Sequence, residues 1–257
     1  MVLQTTSSPL PGLVVTIPER CRVCYTCVRE CPAKAIRINT GQAEVMGERC
    51  IACGNCVLIC SQRAKEVRSS INQVWDLLNS GQPVAACVAP SFPAEFGNTD
   101  EEKVVGMIRA LGFTIVSEVA FGADLVANQY RHLLRRNDNK RYIATTCPAI
   151  VSFVEKYFPK LTPALAPIVS PMIATVRVLR KIHGDHLKTV FIGPCIAKKG
   201  EADSASVKDE VDAVLTFDEL RRMLTEKGLN PRVVVGSDFD PPHGDVGALF
   251  PISRGLL

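Results

Sequence analysis

The sequence predicts two architectures in series: a small α+β module over residues 19–68, then an α/β domain with a mainly parallel sheet over 69–257. Three observations carry this. Eight of the 11 cysteines fall between Cys21 and Cys60. That cysteine-rich stretch repeats itself at an offset of 29 residues. Beyond Ser69, short apolar runs alternate with helical periodicities, the pattern of strands joined by covering helices.

Residues 1–18 read as a Ser/Pro-bearing leader. In the module, short alternating segments at 35–38 and 66–68 read as strands, with Thr40-Gly41-Gln42 as a turn. The second domain opens with an amphipathic helix at 71–79 and an apolar strand at 84–89. Helices follow at 101–111 and 125–136, a strand at 141–145, and helices at 150–157 and 172–182. Strands at 189–192 and 213–215, a helix at 217–227 and a last strand at 232–235 complete the alternation.

Composition excludes several classes. With 47% apolar residues the chain is not disordered, and it contains no apolar run long enough for a membrane span. The N-terminus lacks the basic and apolar regions of a secretory signal, so a cytoplasmic location is expected. A net charge of +4 without a basic block gives no nucleic-acid footprint. Neither G-x-G-x-x-G nor G-x4-G-K-[ST] occurs, so no nucleotide cofactor is indicated. An odd number of clustered cysteines without an export signal argues for metal ligation over disulfides.

The repeat is specific. Glu19-Arg20-Cys21 recurs as Glu48-Arg49-Cys50, and Cys21, Cys24, Cys27 and Cys31 recur as Cys50, Cys53, Cys56 and Cys60. Both copies read C-x2-C-x2-C-x3-C, the first ending in Cys31-Pro32 and the second in Cys60-Ser61. Zinc also uses C-x2-C pairs, but in paired knuckles; three evenly spaced thiolates with a distant fourth suit an iron–sulfur cube. Residues 19–68 thus resemble a bacterial two-cluster ferredoxin. The duplicated run assigns Cys21, Cys24, Cys27 and Cys60 to one [4Fe–4S] cluster and Cys50, Cys53, Cys56 and Cys31 to the other. Eight thiolates around two cubes bring the holo-protein close to neutral.

Two further cysteines, Cys147 and Cys195, each follow a predicted strand, where open α/β sheets bind ligands. They read either as ligands of a third metal centre or as small buried hydrophobes. Cys87, inside the 84–89 strand, reads as core.

Thr145-Thr146-Cys147-Pro148, Gly193-Pro194-Cys195-Ile196-Ala197-Lys198-Lys199-Gly200-Glu201 and Phe121-Gly122-Ala123-Asp124-Leu125 resemble the [FeFe]-hydrogenase catalytic domain. The similarity runs from about Val84 onward, and a two-cluster ferredoxin module is a usual N-terminal companion. The resemblance implies a partial iron-hydrogenase fold in which Cys147 and Cys195 hold a [4Fe–4S] subcluster bridged to a diiron centre, the H-cluster. Lys198 would donate to a cyanide of the diiron unit, and Glu201 would lie near the proton route. Read without the family, Lys198 is rather a solvated surface lysine.

Three departures follow. The family's paired cysteines appear as Thr146-Cys147, replacing the proton-carrying thiol by a hydroxyl. The family's methionine before Pro-Cys is Gly193. The third motif, with two more cysteines, does not occur before Leu257, so the domain reads as truncated and this chain alone as inactive toward H2. The leading expectation is an iron–sulfur electron-transfer protein of the hydrogen- or redox-sensing branch. It would be served by a redox protein partner, with a signalling domain or protein downstream. The alternatives are a plain two-cluster electron carrier and an iron–sulfur assembly-type relative.

Overall fold

The computed structural model describes residues 12–136, 140–253 and 255–256. The first elements are β1 (Val14–Thr16), α1 (Thr26–Arg29), β2 (Ile36–Asn39), β3 (Gln42–Val45), α2 (Asn55–Leu58) and β4 (Lys65–Val67). There follow α3 (Ile71–Leu78), β5 (Val84–Val88), α4 (Phe92–Phe96), α5 (Glu101–Ala110), β6 (Ile115–Glu118) and α6 (Val119–Arg135). The chain continues through α7 (Pro148–Tyr157), α8 (Pro171–His183), β7 (Lys188–Gly193), α9 (Ala197–Ala202), β8 (Ala213–Thr216) and α10 (Phe217–Glu226). No helix of the described residues is long and apolar enough to cross a membrane.

These elements fall into two compact units. Among the described residues, one holds those up to Arg68 together with Tyr142–Leu165 and Cys195–Lys208; the other holds those from Ser69 to Arg141, Ala166–Pro194 and those from Asp209 onward.

In the first unit, β1 pairs antiparallel with β4 and β2 with β3. The 29-residue offset carries over to these ribbons, Val14 corresponding to Ala43 and Ile36 to Lys65. Strand β1 lies within the stretch that reads as a leader. The core is made of Cys31, Ala33, Ala35, Ile36, Ala43 and Ile51, with Phe153 and Tyr157 of α7 packed against it. Four of the eight are alanine or cysteine, so little apolar area is buried.

The second unit is a four-stranded parallel sheet in the order β6-β5-β7-β8. Strand β5 is buried along its whole length, as the unbroken apolar run Val84–Val88 requires of a central parallel strand. The chain leaves β5 toward β6 on one side and resumes with β7 on the other, which creates a topological switch point between β5 and β7. The Phe121-Gly122-Ala123-Asp124 sequence lies inside α6, which starts six residues before the position that periodicity gives. A Cβ on Gly122 would stand 2.2 Å from Thr175 Oγ1 and 2.4 Å from the Pro171 carbonyl, so glycine lets α6 meet α8 closely. Asp124 accepts hydrogen bonds from the Asp245 and Gly247 amides at 2.7 and 2.6 Å, fixing the C-terminal turn.

Two expected strands are absent. Residues 141–145 contribute one isolated bridge, Ile143 with Leu165. Residues 232–235 are valine-rich but run along α5: Lys103 Nζ donates to the Val234 carbonyl at 2.8 Å and the Ser237 amide to that of Glu102 at 3.0 Å. Val233 and Val235 are 63% and 86% exposed, so nothing draws this segment into the sheet. Conversely, β6 and the short helices α4 and α9 carry too little periodicity to be read beforehand.

Candidate metal centres

Both cysteine runs curl round a cavity of the first unit. Cys21, Cys24, Cys27 and Cys60 line one, of about 360 Å³, and Cys31, Cys50, Cys53 and Cys56 line the other, of about 340 Å³. These are the two sets that the interleaved repeat separates, each crossing from one copy to the other. Among the described residues no three His, Cys, Asp or Glu side chains converge on a single-ion site. Four thiols spread round each cavity suit a cube, whose corners hold the sulfurs apart.

The spacers explain the curl. Val23 and Tyr25 sit at φ 52° and 61°, and their repeat counterparts Ala52 and Gly54 at 55° and 80°. Left-handed residues between the cysteines fold each run back on itself, and for β-branched Val23 this costs energy that the bound group must offset. The same geometry turns amides toward sulfur. Ala35 N–H donates to Cys31 Sγ and Ala64 N–H to Cys60 Sγ, both at 3.3 Å, again one repeat apart. Ala52 N–H donates to Cys50 Sγ at 3.4 Å. Such donors soften the charge of a thiolate-bound cluster.

Burial governs the thiols. It pushes Cys56 up to about 12, against the attraction of Lys65, and raises Cys27 and Cys50 above the ordinary thiol value. Exposed Cys24 is lowered instead, chiefly by its hydrogen bond with the Thr26 side chain. Loading a metal group on the buried thiols therefore releases protons and becomes easier as pH rises.

Helix α7 closes over the second run. Lys156 Nζ donates to the Cys50 carbonyl at 2.7 Å and that of Gly47 at 3.2 Å, while the Tyr157 hydroxyl donates to the carbonyls of Arg49 and Ala33. The sequence singled out neither residue.

Cys147 and Cys195 belong to this same unit. Cys147 is the exposed N-cap of α7, not the end of a sheet strand, since 141–145 forms none. Cys195 follows β7 and packs against Leu13, Ala52, Ala149 and Ala197. Burial raises its thiol, with Lys198 opposing and Cys147 reinforcing the shift. Ile196 reaches into the second cysteine run, its Cδ1 standing 2.8 Å from where a Gly54 Cβ would be. Hence Gly54 where the first run has Tyr25. Lys198, 8% exposed, is no surface lysine; its Nζ pairs with Glu201 at 2.6 Å across one turn of α9. Thr146 is half-buried beside Cys147. In the second unit, Gly193 stands where the family has methionine, and a Cβ there would meet the Phe191 ring at 2.7 Å and Ala89 at 2.9 Å. Cys87 is wholly buried in β5, its thiol pushed up to about 12 by burial, and it is core.

Fold and cavities together define an iron–sulfur protein with two [4Fe–4S] clusters in a ferredoxin-type module. The family model for the iron only hydrogenase large subunit, C-terminal domain, matches residues 82–257, and a 4Fe-4S dicluster domain matches residues 13–61. The chain belongs to the iron-only hydrogenase large subunit family. It is 27% identical to iron hydrogenase 1 of Clostridium pasteurianum over 74% of its own length and 38% of that protein's. It is also 27% identical to the NADP-reducing hydrogenase subunit HndD of Solidesulfovibrio fructosivorans, over 70% of this chain and 35% of the other. A solved [FeFe]-hydrogenase of Chlamydomonas reinhardtii superposes with a TM-score of 0.57 at 26% identity, covering 67% of this chain and 52% of that one. The chain therefore spans well under half the length of these curated relatives.

Proposed function

We propose that the chain conducts single electrons between a redox protein partner and a hydrogenase-type centre that Cys147 and Cys195 help to hold. One observation supports this above the others: Ile196, next to Cys195, lies directly on Gly54 of the Cys50–Cys56 loop. A plain carrier has no need to pack its cluster loop against that motif. In this reading Cys21, Cys24, Cys27 and Cys60 hold one cube, and Cys31, Cys50, Cys53 and Cys56 the other. When bound, each cube takes up and gives back one electron. The module spans residues 19–68, extended by β1, and the cytoplasm keeps its thiols reduced for loading.

Lys198 is positioned by Glu201 to offer N–H donors to an anionic ligand of a diiron unit. Glu201 fixes that ammonium and lies on the proton route. After anaerobic reconstitution, iron and sulfide analysis should give about eight irons per chain or more, with EPR signals of reduced cubes. Stoichiometric zinc and an EPR-silent protein would sink the reading.

The sensing role rests on Thr146. A cysteine thiol near 8.5 can relay protons at cellular pH, whereas a threonine hydroxyl ionises far above it. Thr146 therefore slows proton delivery without touching metal binding by Cys147. In a complete, maturated protein, Thr146→Cys should raise hydrogen turnover by about tenfold or more at unchanged metal content, within the range typical of a positioned acid–base group. Unchanged turnover would remove the support for a slow, sensing centre.

A further inference from the structure

We infer that Lys65 makes the two cubes electrically unequal, so that the cube in the Cys21, Cys24, Cys27 and Cys60 cavity is the easier to reduce and holds the electron in transit. This rests on the ligand sets proposed above. Lys65 and Ile36 occupy the same place in the two copies of the repeat, 29 residues apart, and each is 6% exposed. Ile36 lines the Cys31, Cys50, Cys53 and Cys56 cavity, and Lys65 lines the other. At this repeat position one site is apolar where its twin is cationic; the ammonium beside the apolar site, Lys156, sits on the Cys50 carbonyl and lines neither cavity, whereas Lys65 lines its own.

The lysine is held in place. Its Nζ donates to the Ala43 carbonyl at 3.0 Å and to Thr16 Oγ1 at 2.5 Å. Ala43 lines the same cavity as Lys65, and both acceptors are neutral. A buried ammonium with neutral partners alone is costly and calls for an anion. A cube on four thiolates supplies it, carrying about −2 when oxidised and one charge more when reduced. The nearby positive charge stabilises the reduced form more. Its field opposes the burial that raises Cys27, and it reaches Cys56 of the other set as well. Both potentials are therefore raised, the bordered cube's further. Reduction moves one electron from the reductant to the cube.

The test is an EPR-monitored redox titration of the reconstituted full chain, with dithionite as reductant and mediator dyes, on the unsubstituted protein, Lys65→Met and Lys65→Arg. Iron content comes first: failure of the unsubstituted chain to bind about eight irons defeats the ligand reading, not this inference. With iron in place, two separate potentials are expected. Lys65→Met should lower the higher one by at least tenfold in the reduction equilibrium, 59 mV for one electron, and the lower one by less. Lys65→Arg should keep both close to their original values. Ile36→Lys, which puts an ammonium at the twin position, should raise the lower potential and narrow the gap. Two indistinguishable potentials in the unsubstituted protein overturn the inference, as does an equal shift in Lys65→Met and Lys65→Arg. If Lys65→Met fails to load, an unchanged gap in Ile36→Lys overturns it.

Discussion

Cys60→Ser should empty one cavity and leave the other filled, taking iron from about eight to about four per chain. Cys60 sits at the end of the second run, four residues beyond Cys56, yet it lines the cavity of Cys21, Cys24 and Cys27. A purely local grouping would place its loss on the second cube. Because the ligand sets cross, the cube that disappears should be the one held by the first run, and Cys31→Ser should remove its twin. EPR of the reduced variants separates the two, since each retains the signal that the other lacks. Loss of the same signal in both variants, or full iron in either, would contradict the crossed assignment. A structural cost should accompany the missing cube. The module buries chiefly alanines and small cysteines, and metal binding is then a large share of its folding energy. Far-UV circular dichroism after chelation should show the β ribbons melting.

Gly122→Val should lower the stability of the second unit by about 3 kcal/mol, the upper end for an overpacked core. Even the first added carbon would lie 2.2 Å from Thr175 Oγ1, 2.4 Å from the Pro171 carbonyl and 3.0 Å from the Thr175 amide. Two of those atoms are backbone, so no rotamer change relieves the clash and α6 must move away from α8. Both helices bury apolar side chains, Val126 on α6 and Met172, Val176 and Leu179 on α8. Chemical denaturation should report an earlier midpoint. An unchanged midpoint would mean that the two helices separate freely and that the close approach contributes nothing.

Much of this was readable in the sequence, for a definite reason. The offset of 29 residues pairs the cysteines of the two runs and, continued backward, relates β1 to β3, a signal available at Val14 and Ala43. Periodicity found α3, α5, α7, α8 and α10 because each has a strong apolar stripe, β5 because it is an unbroken apolar run, and β7 and β8 because each contains a short one. It failed at 141–145 and 232–235, where apolar residues lie against a helix or a single bridge instead of a sheet. What local pattern cannot carry is long-range grouping. Nothing near Cys147 or Cys195 says that α7 and α9 join the cysteine module, with Lys156 and Tyr157 binding its carbonyls. Lys65 was hidden for a related reason: one lysine in a strand reads as solvated until its twin, Ile36, is seen to be buried.

The carbonyl clamp of α7 also has a consequence for synthesis. Lys156 binds the Cys50 carbonyl across 106 residues, and Tyr157 binds that of Ala33 across 124. On a ribosome adding about 5–20 residues per second, the cysteine loops emerge roughly 5–25 s before the helix that braces them. During that interval both cavities stand open to any thiol-based iron donor, while the tyrosine and lysine are still untranslated or inside the exit tunnel. The loops emerge with these carbonyls unbraced, and α7 holds them from behind once it arrives. Loading during synthesis would meet loops free to rearrange, whereas loading of the finished chain meets loops already braced by α7.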